Sequence, residues 1–154
     1  MNFADAIKIC LKKKYANFSG RASRSEFWFF TLFILIVYTI LILIIFKISL
    51  QFLWVFGVFA IGMIVPALSV TVRRLHDINK SGWFILLPLP ADLVAKIFER
   101  SSESFGPGLS IIFSIIAIVL YVYLFALYCK DGDKKNNRFG KNIYKKIIKR
   151  KKRN

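Results

Sequence analysis

Residues 27–46 form an unbroken run of 20 residues without a charge, and 16 of them are Phe, Leu, Ile or Val. As a helix rising 1.5 Å per residue, this run is about 30 Å long, the thickness of a bilayer's hydrocarbon. A cleaved signal peptide would be shorter and end in a small-residue cleavage site, whereas here Lys47 and another apolar run follow. The run therefore reads as a retained first transmembrane helix. Composition agrees with that assignment. The 154-residue chain carries a formal +16 while 56% of it is hydrophobic, and its mean hydropathy is +0.55. A soluble nucleic-acid binder of that charge would keep an ordinary apolar fraction, and a disordered chain would have fewer apolar residues still. Charge and apolar content are instead segregated along the sequence, as in an integral membrane protein.

Further spans follow from the same pattern. The second, at about 52–72, is free of charge and carries Gly57, Ala60, Gly62, Ala67 and Ser69 as small faces for close helix approach, with Pro66 interrupting its hydrogen-bond ladder. The fourth, at about 109–128, is another 20 residues without a charge. The third, at about 83–98, holds Pro88, Pro90, Asp92 and Lys96 within 16 residues. A charge near a helix centre costs about 2.5–3.5 kcal/mol on insertion scales, but Asp92 and Lys96 lie four apart and can pair. A re-entrant segment is the alternative to a crossing.

Charge placement decides between them. Residues 1–26 hold six Lys or Arg, the connection before the third span holds Arg73, Arg74 and Lys80, and residues 130–154 hold twelve. The other two connections hold only Lys47 and Arg100. If the third segment crosses, all three basic regions share one face, as the positive-inside rule requires. The sequence therefore predicts an all-α integral membrane protein with four transmembrane helices, a short interfacial N-terminal helix and both termini cytoplasmic. Three segments compose it: an amphipathic cytoplasmic segment (1–20), the four-helix membrane domain (21–129) and a basic cytoplasmic tail (130–154). Phe27, Trp28, Trp83 and Tyr128 fall at cytoplasmic ends and Trp54 near the outer end, as an aromatic belt would place them.

The cytoplasmic segments carry most of the remaining polarity. Phe3, Ile7, Cys10, Leu11 and Tyr15 recur at helical spacing beside Lys8, Lys12, Lys13 and Lys14, which suits a basic helix in the headgroup plane or one packed under the bundle. Arg21, Arg24 and Glu26 precede the first span, where Ser23 or Ser25 is a candidate cap and Glu26 suits the positive end of the helix dipole. Arg73, Arg74, His76 and Asp77 follow the second span, and Ser81-Gly82 starts the next helix. His76, the chain's only histidine, has no further ligands at metal-binding spacing, so no metal or cofactor is expected; a hydrogen-bonding role at a turn is. The tail interleaves Ile143, Tyr144, Ile147 and Ile148 with eight Lys or Arg from Lys141 to Arg153, a pattern for a surface-bound amphipathic helix. Without an aromatic platform or a recognised module it gives no case for nucleic acid. Cys10 and Cys129 each adjoin a lysine-rich segment rather than forming a paired framework.

GRASRSEFW before the first span, RRLHD and KSGW between the second and third, and NRFG after the last together resemble the bacterial inner-membrane family catalogued as domain of unknown function 805. Order and spacing match from about Phe18 to Gly140. Two departures stand out: KNIY follows NRFG where the family commonly has a proline, and the tail is unusually basic. The resemblance implies a bacterial plasma-membrane location and four helices, and no known reaction.

On the predicted topology, Arg21, Arg24, Glu26, Arg73, Arg74, His76, Asp77, Asn137 and Arg138 converge at one membrane face. Arginine forks suit carboxylates and phosphates, so the expected site is a polar cluster that fixes helix ends and holds an anionic phospholipid headgroup, a small anion or a partner, whether another protein or a second copy. The sequence has no phosphate loop, nucleophile elbow or H-E-x-x-H motif, which makes a non-enzymatic interaction or assembly module the leading expectation. A small transporter or channel component is the alternative, resting on Asp92 and Lys96.

Overall fold

The structure, a computed structural model, describes residues 1–48, 53–100 and 105–144. α1 (Phe3–Lys8) runs into a π-helical turn (Ile9–Lys13), followed by α2 (Arg24–Ile48), α3 (Leu53–Asp77), a 3₁₀ helix (Gly82–Leu86), α4 (Leu89–Glu99) and α5 (Gly106–Cys129). Among the described residues, α2, α3 and α5 are long and apolar enough to cross a membrane. In their most apolar stretches only 11%, 17% and 11% of residues are buried within the chain, so hydrocarbon, not protein, is the solvent those faces suit.

Helix ends are set by local chemistry. Ser23 is the cap of α2, its Oγ accepting the Glu26 N–H at 3.2 Å. α3 continues past the expected end at residue 72, which puts Arg73, Arg74, His76 and Asp77 on its last turns instead of in a loop. It stops in a Schellman motif: Lys80 N–H donates to Leu75 O at 3.0 Å and Asn79 N–H to His76 O at 3.1 Å. Asn79 takes the required left-handed conformation, φ 58°.

Pro66 lies inside α3 and has no N–H to donate to the carbonyl of Gly62, four residues back. The Tyr15 hydroxyl fills that vacancy, donating to Gly62 O at 2.6 Å. Ser69 Oγ faces the carbonyls of Lys14 and Asn17 at 3.1 and 2.7 Å. These contacts hold the N-terminal segment against the bundle. Phe3 sits edge-on to Phe29 with ring centroids 6.0 Å apart, and Cys10 is buried with Ala22, Phe27, Phe30 and Val70. Of the two readings of this segment, the structure takes the packed one.

The third segment corrects the sequence reading, because residues 83–98 do not form one helix. Ser81 caps the 3₁₀ helix by accepting from the Trp83 N–H, and Gly82 lies so close to Val72 that an added Cβ would come within 2.8 Å of its methyl group. Pro88 and Pro90 cannot donate to the preceding turn, so the helix breaks and restarts as α4, eleven residues long. The expected amphipathic tail helix lies mostly in residues 145–154, outside the described ones.

Packing divides the chain into two hairpin-like pairs, α2 with α3 and α4 with α5. α3 meets α5 near their C-terminal ends, where Leu75 and Ile78 pack with Leu124 and Leu127. Phe27 and Trp28 at the start of α2 reach Tyr128 and Phe125 there as well. With three helix ends at one place, the start of α5 at Gly106 is about 35 Å away along its axis. Residues 78–100 lead away from the first level, and the stacking of Phe98 on Phe113 marks how far α4 has travelled.

Candidate functional site

Asp77, the last residue of α3, is the centre of the end where these helices meet. It is fully buried, as are Arg73 and Arg74. Arg21 Nε donates to its Oδ1 at 2.8 Å and Arg74 Nη1 to its Oδ2 at 2.8 Å. The Tyr144 hydroxyl adds a third donor, to Oδ2 at 2.5 Å. Beside this hub, Arg73 Nη1 pairs with Glu26 Oε1, and Arg73 Nη2 approaches Cys10 Sγ at 4.0 Å.

Three buried guanidiniums face two buried carboxylates, which leaves one positive charge in excess. The negative ends of α3 and α5 point into the same space, and each carries roughly half an elementary charge. Arg74 binds the last carbonyls of α5, Tyr128 O at 3.1 Å and Lys130 O. Arg21 binds Asp77 O at 3.4 Å, Lys135 O at 2.8 Å and Asp133 O. The excess charge is therefore met by carbonyls at the ends of α3 and α5 and by those of Asp133 and Lys135 beyond α5.

Residues 130–144 form a strap across this end. Asp133 N–H donates to Asp77 O at 2.9 Å. Asn137 Nδ2 donates to His76 O at 2.9 Å, while its Oδ1 accepts the Phe139 N–H and so shapes the NRFG turn. That turn lays Phe139 flat on the His76 ring, 3.8 Å between centroids and 4° between planes. The Arg138 guanidinium lies over the same phenyl ring at 4.7 Å and reaches Asn79 O at 3.3 Å. His76 Nδ1 lies 3.2 Å from Gly20 O, which can only accept, so the proton sits on that nitrogen.

All nine residues expected at the site thus lie in or around one cluster, with Arg24 at its exposed rim in an ion pair with Asp131. Residues 15–141 match the family described as "Protein of unknown function (DUF805)", most of the chain and all four motif segments. The chain belongs to the DUF805 family. It is 28% identical over 129 residues to the inner membrane protein YhaI of Escherichia coli, covering 83% of this chain and 86% of that one. It is 35% identical over 107 residues to the inner membrane protein YhaH of the same organism, covering 62% and 88%. No solved structure matches. In this DUF805 member the motifs have distinct tasks: GRASR brings Arg21 to the hub, RRLHD supplies the hub, KSGW starts the 3₁₀ helix and NRFG turns the strap.

Three participants were not legible as such. Tyr144 falls in the KNIY departure from the family pattern, and burial followed by its hydrogen bond to Asp77 pushes its hydroxyl up to about 12. Gly132 packs where an added Cβ would overlap the Asp77 carboxylate and the Tyr144 hydroxyl. Cys10 lies beside Arg73, and burial, then the nearby Glu26 charge, raises its thiol to about 11, which keeps it protonated and inert.

Proposed function

We propose that this DUF805 protein is a four-pass, non-enzymatic inner-membrane interaction and assembly module with both termini cytoplasmic. The observation that carries the reading is the Asp77 hub, where the segment before α2, the end of α3 and the strap after α5 are tied together. Such a clasp orders helix ends and holds basic segments at one face.

Four crossings are favoured because residues 78–105 start beside the clasp and must reach the far end of α5. The 3₁₀ helix and α4 together give about 26 Å of helical rise for that path. Charge agrees, since the three basic regions then share a face. Reporter fusions after residues 79 and 144 should read cytoplasmic, and those after 50 and 103 external. A cytoplasmic signal at 103 would refute the crossing.

Anionic phospholipid headgroups are the proposed ligand of this face. The buried arginines bind the chain's own carboxylates and carbonyls, so headgroup contact falls to the exposed Lys8, Lys12, Lys13, Arg24 and Arg138. Native mass spectrometry should show fewer retained phosphatidylglycerol molecules after Lys12→Gln with Lys13→Gln, and unchanged retention would remove this part of the proposal. The transporter alternative gains nothing from the geometry, because Asp92 and Lys96 pair with each other on the outer face of α4.

A further inference from the structure

α4 presents one face outward: Leu89, Leu93 and Ile97 are 47%, 61% and 58% exposed. Asp92 and Lys96 lie on that same face by helical spacing. Lys96 Nζ donates to Asp92 Oδ2 at 2.9 Å, yet the two side chains remain 63% and 38% exposed. The opposite face of α4 is the one packed on α5, through buried Ala95 and the Phe98–Phe113 stack.

Depth makes this pair unusual. Phe84 and Ile85 pack beside Leu124 and Leu127 near the clasp, and Phe98 is level with Phe113, about 24 Å up α5 from Cys129. Six residues back along α4, Asp92 lies about 15 Å from the Cys129 level, near the middle of a helix about 36 Å long. Lys96 does not snorkel outward either. Its ammonium bends back toward the α4 N-terminus, to the level of Asp92. On the four-crossing reading, on which this inference rests, an ion pair therefore faces outward at mid-bilayer depth, where charged side chains are costly unless covered.

We propose that the α4 face of Leu89, Asp92, Leu93, Lys96 and Ile97 is a self-association surface, covered by the same face of a second copy. Two-fold symmetry about the membrane normal puts both carboxylates at one depth, and the bent lysines bring both ammonium groups to that depth. Each lysine then bridges its own Asp92 and the partner copy's, so positive and negative groups alternate around the axis. An Asp and a Lys on one face are self-complementary, as an isologous interface requires, whereas hydrocarbon offers neither charge a partner.

The test is subunit capture in lipid bilayers, counted by single-molecule photobleaching, with Cys129→Ser to remove the exposed thiol. Wild type should give dimers. Asp92→Lys and Lys96→Asp should each be monomeric alone and should pair with one another when mixed, because their faces then carry opposite charge. Where those variants fail to insert, Asp92→Leu with Lys96→Leu keeps the crossing apolar and should weaken the dimer about tenfold. Dimerisation of that double variant at wild-type strength would overturn the proposal. Labelling of Leu93→Cys by a membrane-impermeant maleimide would instead sink the crossing reading beneath it. Protection of Leu93→Cys with a wholly monomeric wild type would defeat the self-association alone.

Discussion

Asp77→Asn is the sharpest perturbation of the clasp because it changes charge with almost no change in shape. The carboxylate accepts from Arg21, Arg74 and Tyr144. An amide can keep one acceptor oxygen, toward Arg21 or toward Arg74, and must then turn its NH₂ donor at the other guanidinium. The uncompensated positive charge of the cluster rises from one to two. Side-chain exposure is 1% or less for Arg21, Arg74 and Asp77, so water does not step in. Removing one partner of a buried pair costs about 3–5 kcal/mol. Against a typical total of about 5–15 kcal/mol that is a large loss, and it falls on the joint between helix pairs rather than on insertion of each helix.

The Arg24–Asp131 pair supplies the control. It has similar chemistry and a 2.6 Å contact, but its side chains are 51% and 74% exposed. Arg24→Gln should therefore cost about 0–1 kcal/mol. Both variants can be unfolded by SDS in mixed micelles and followed by tryptophan fluorescence, with trypsin cleavage within residues 130–144 as a second readout. Asp77→Asn should shift the midpoint strongly and release the strap to protease. Equal shifts for the two variants, or less than about 1 kcal/mol for Asp77→Asn, would show that burial is not what makes the hub matter.

Four further outcomes follow from the same contacts. Tyr15→Phe strands the Gly62 carbonyl and should cost about 1–2 kcal/mol, while in a Pro66→Ala background, where residue 66 regains its N–H, the same change should be nearly neutral. Gly132→Ala forces a methyl into Asp77 and Tyr144 and should destabilise by about 1–3 kcal/mol while speeding proteolysis of the strap; unaltered cleavage would refute the close approach. Tyr144 has a hydroxyl raised to about 12 from an ordinary value near 10, so its contribution is complete below the ordinary value and lost as pH rises through the raised one. The stability difference between wild type and Tyr144→Phe should accordingly be flat up to about pH 10 and shrink toward pH 12. Maleimide at neutral pH should modify exposed Cys129 quickly and buried Cys10 only after unfolding, and equal rates would contradict the packing of the N-terminal segment.

What the sequence revealed, and what it hid, divides along a physical line. Apolar run length and the sign of flanking residues report on each segment's own cost in lipid, so α2, α3 and α5 were legible without any neighbour. The polar cluster was legible because three basic segments sharing a face must find acid partners, and Glu26 and Asp77 were available in the motifs. Which acid serves which arginine was not legible, because it depends on α3 continuing as helix through Arg73 and Arg74 until the Schellman turn at Asn79. The break inside the third segment is hidden for a related reason. Hydropathy averages over Pro88 and Pro90, whereas a helix needs each N–H individually, and two missing donors break it.

Tyr15 shows the limit most clearly. A proline in a helix announces a carbonyl without a donor four residues earlier, so Gly62 was identifiable as a group in need of a partner. The donor lies 47 residues away in an amphipathic segment, where Tyr15 reads as one more residue of the apolar face. The need was local and the supplier was not. The same holds at Gly132, where an ordinary turn residue is required because Asp77 and Tyr144, 55 positions before and 12 after it, occupy the space its side chain would take. In this protein the apolar segments say where the chain goes, and the unpaired polar groups they create at helix breaks and helix ends say what must come to meet them.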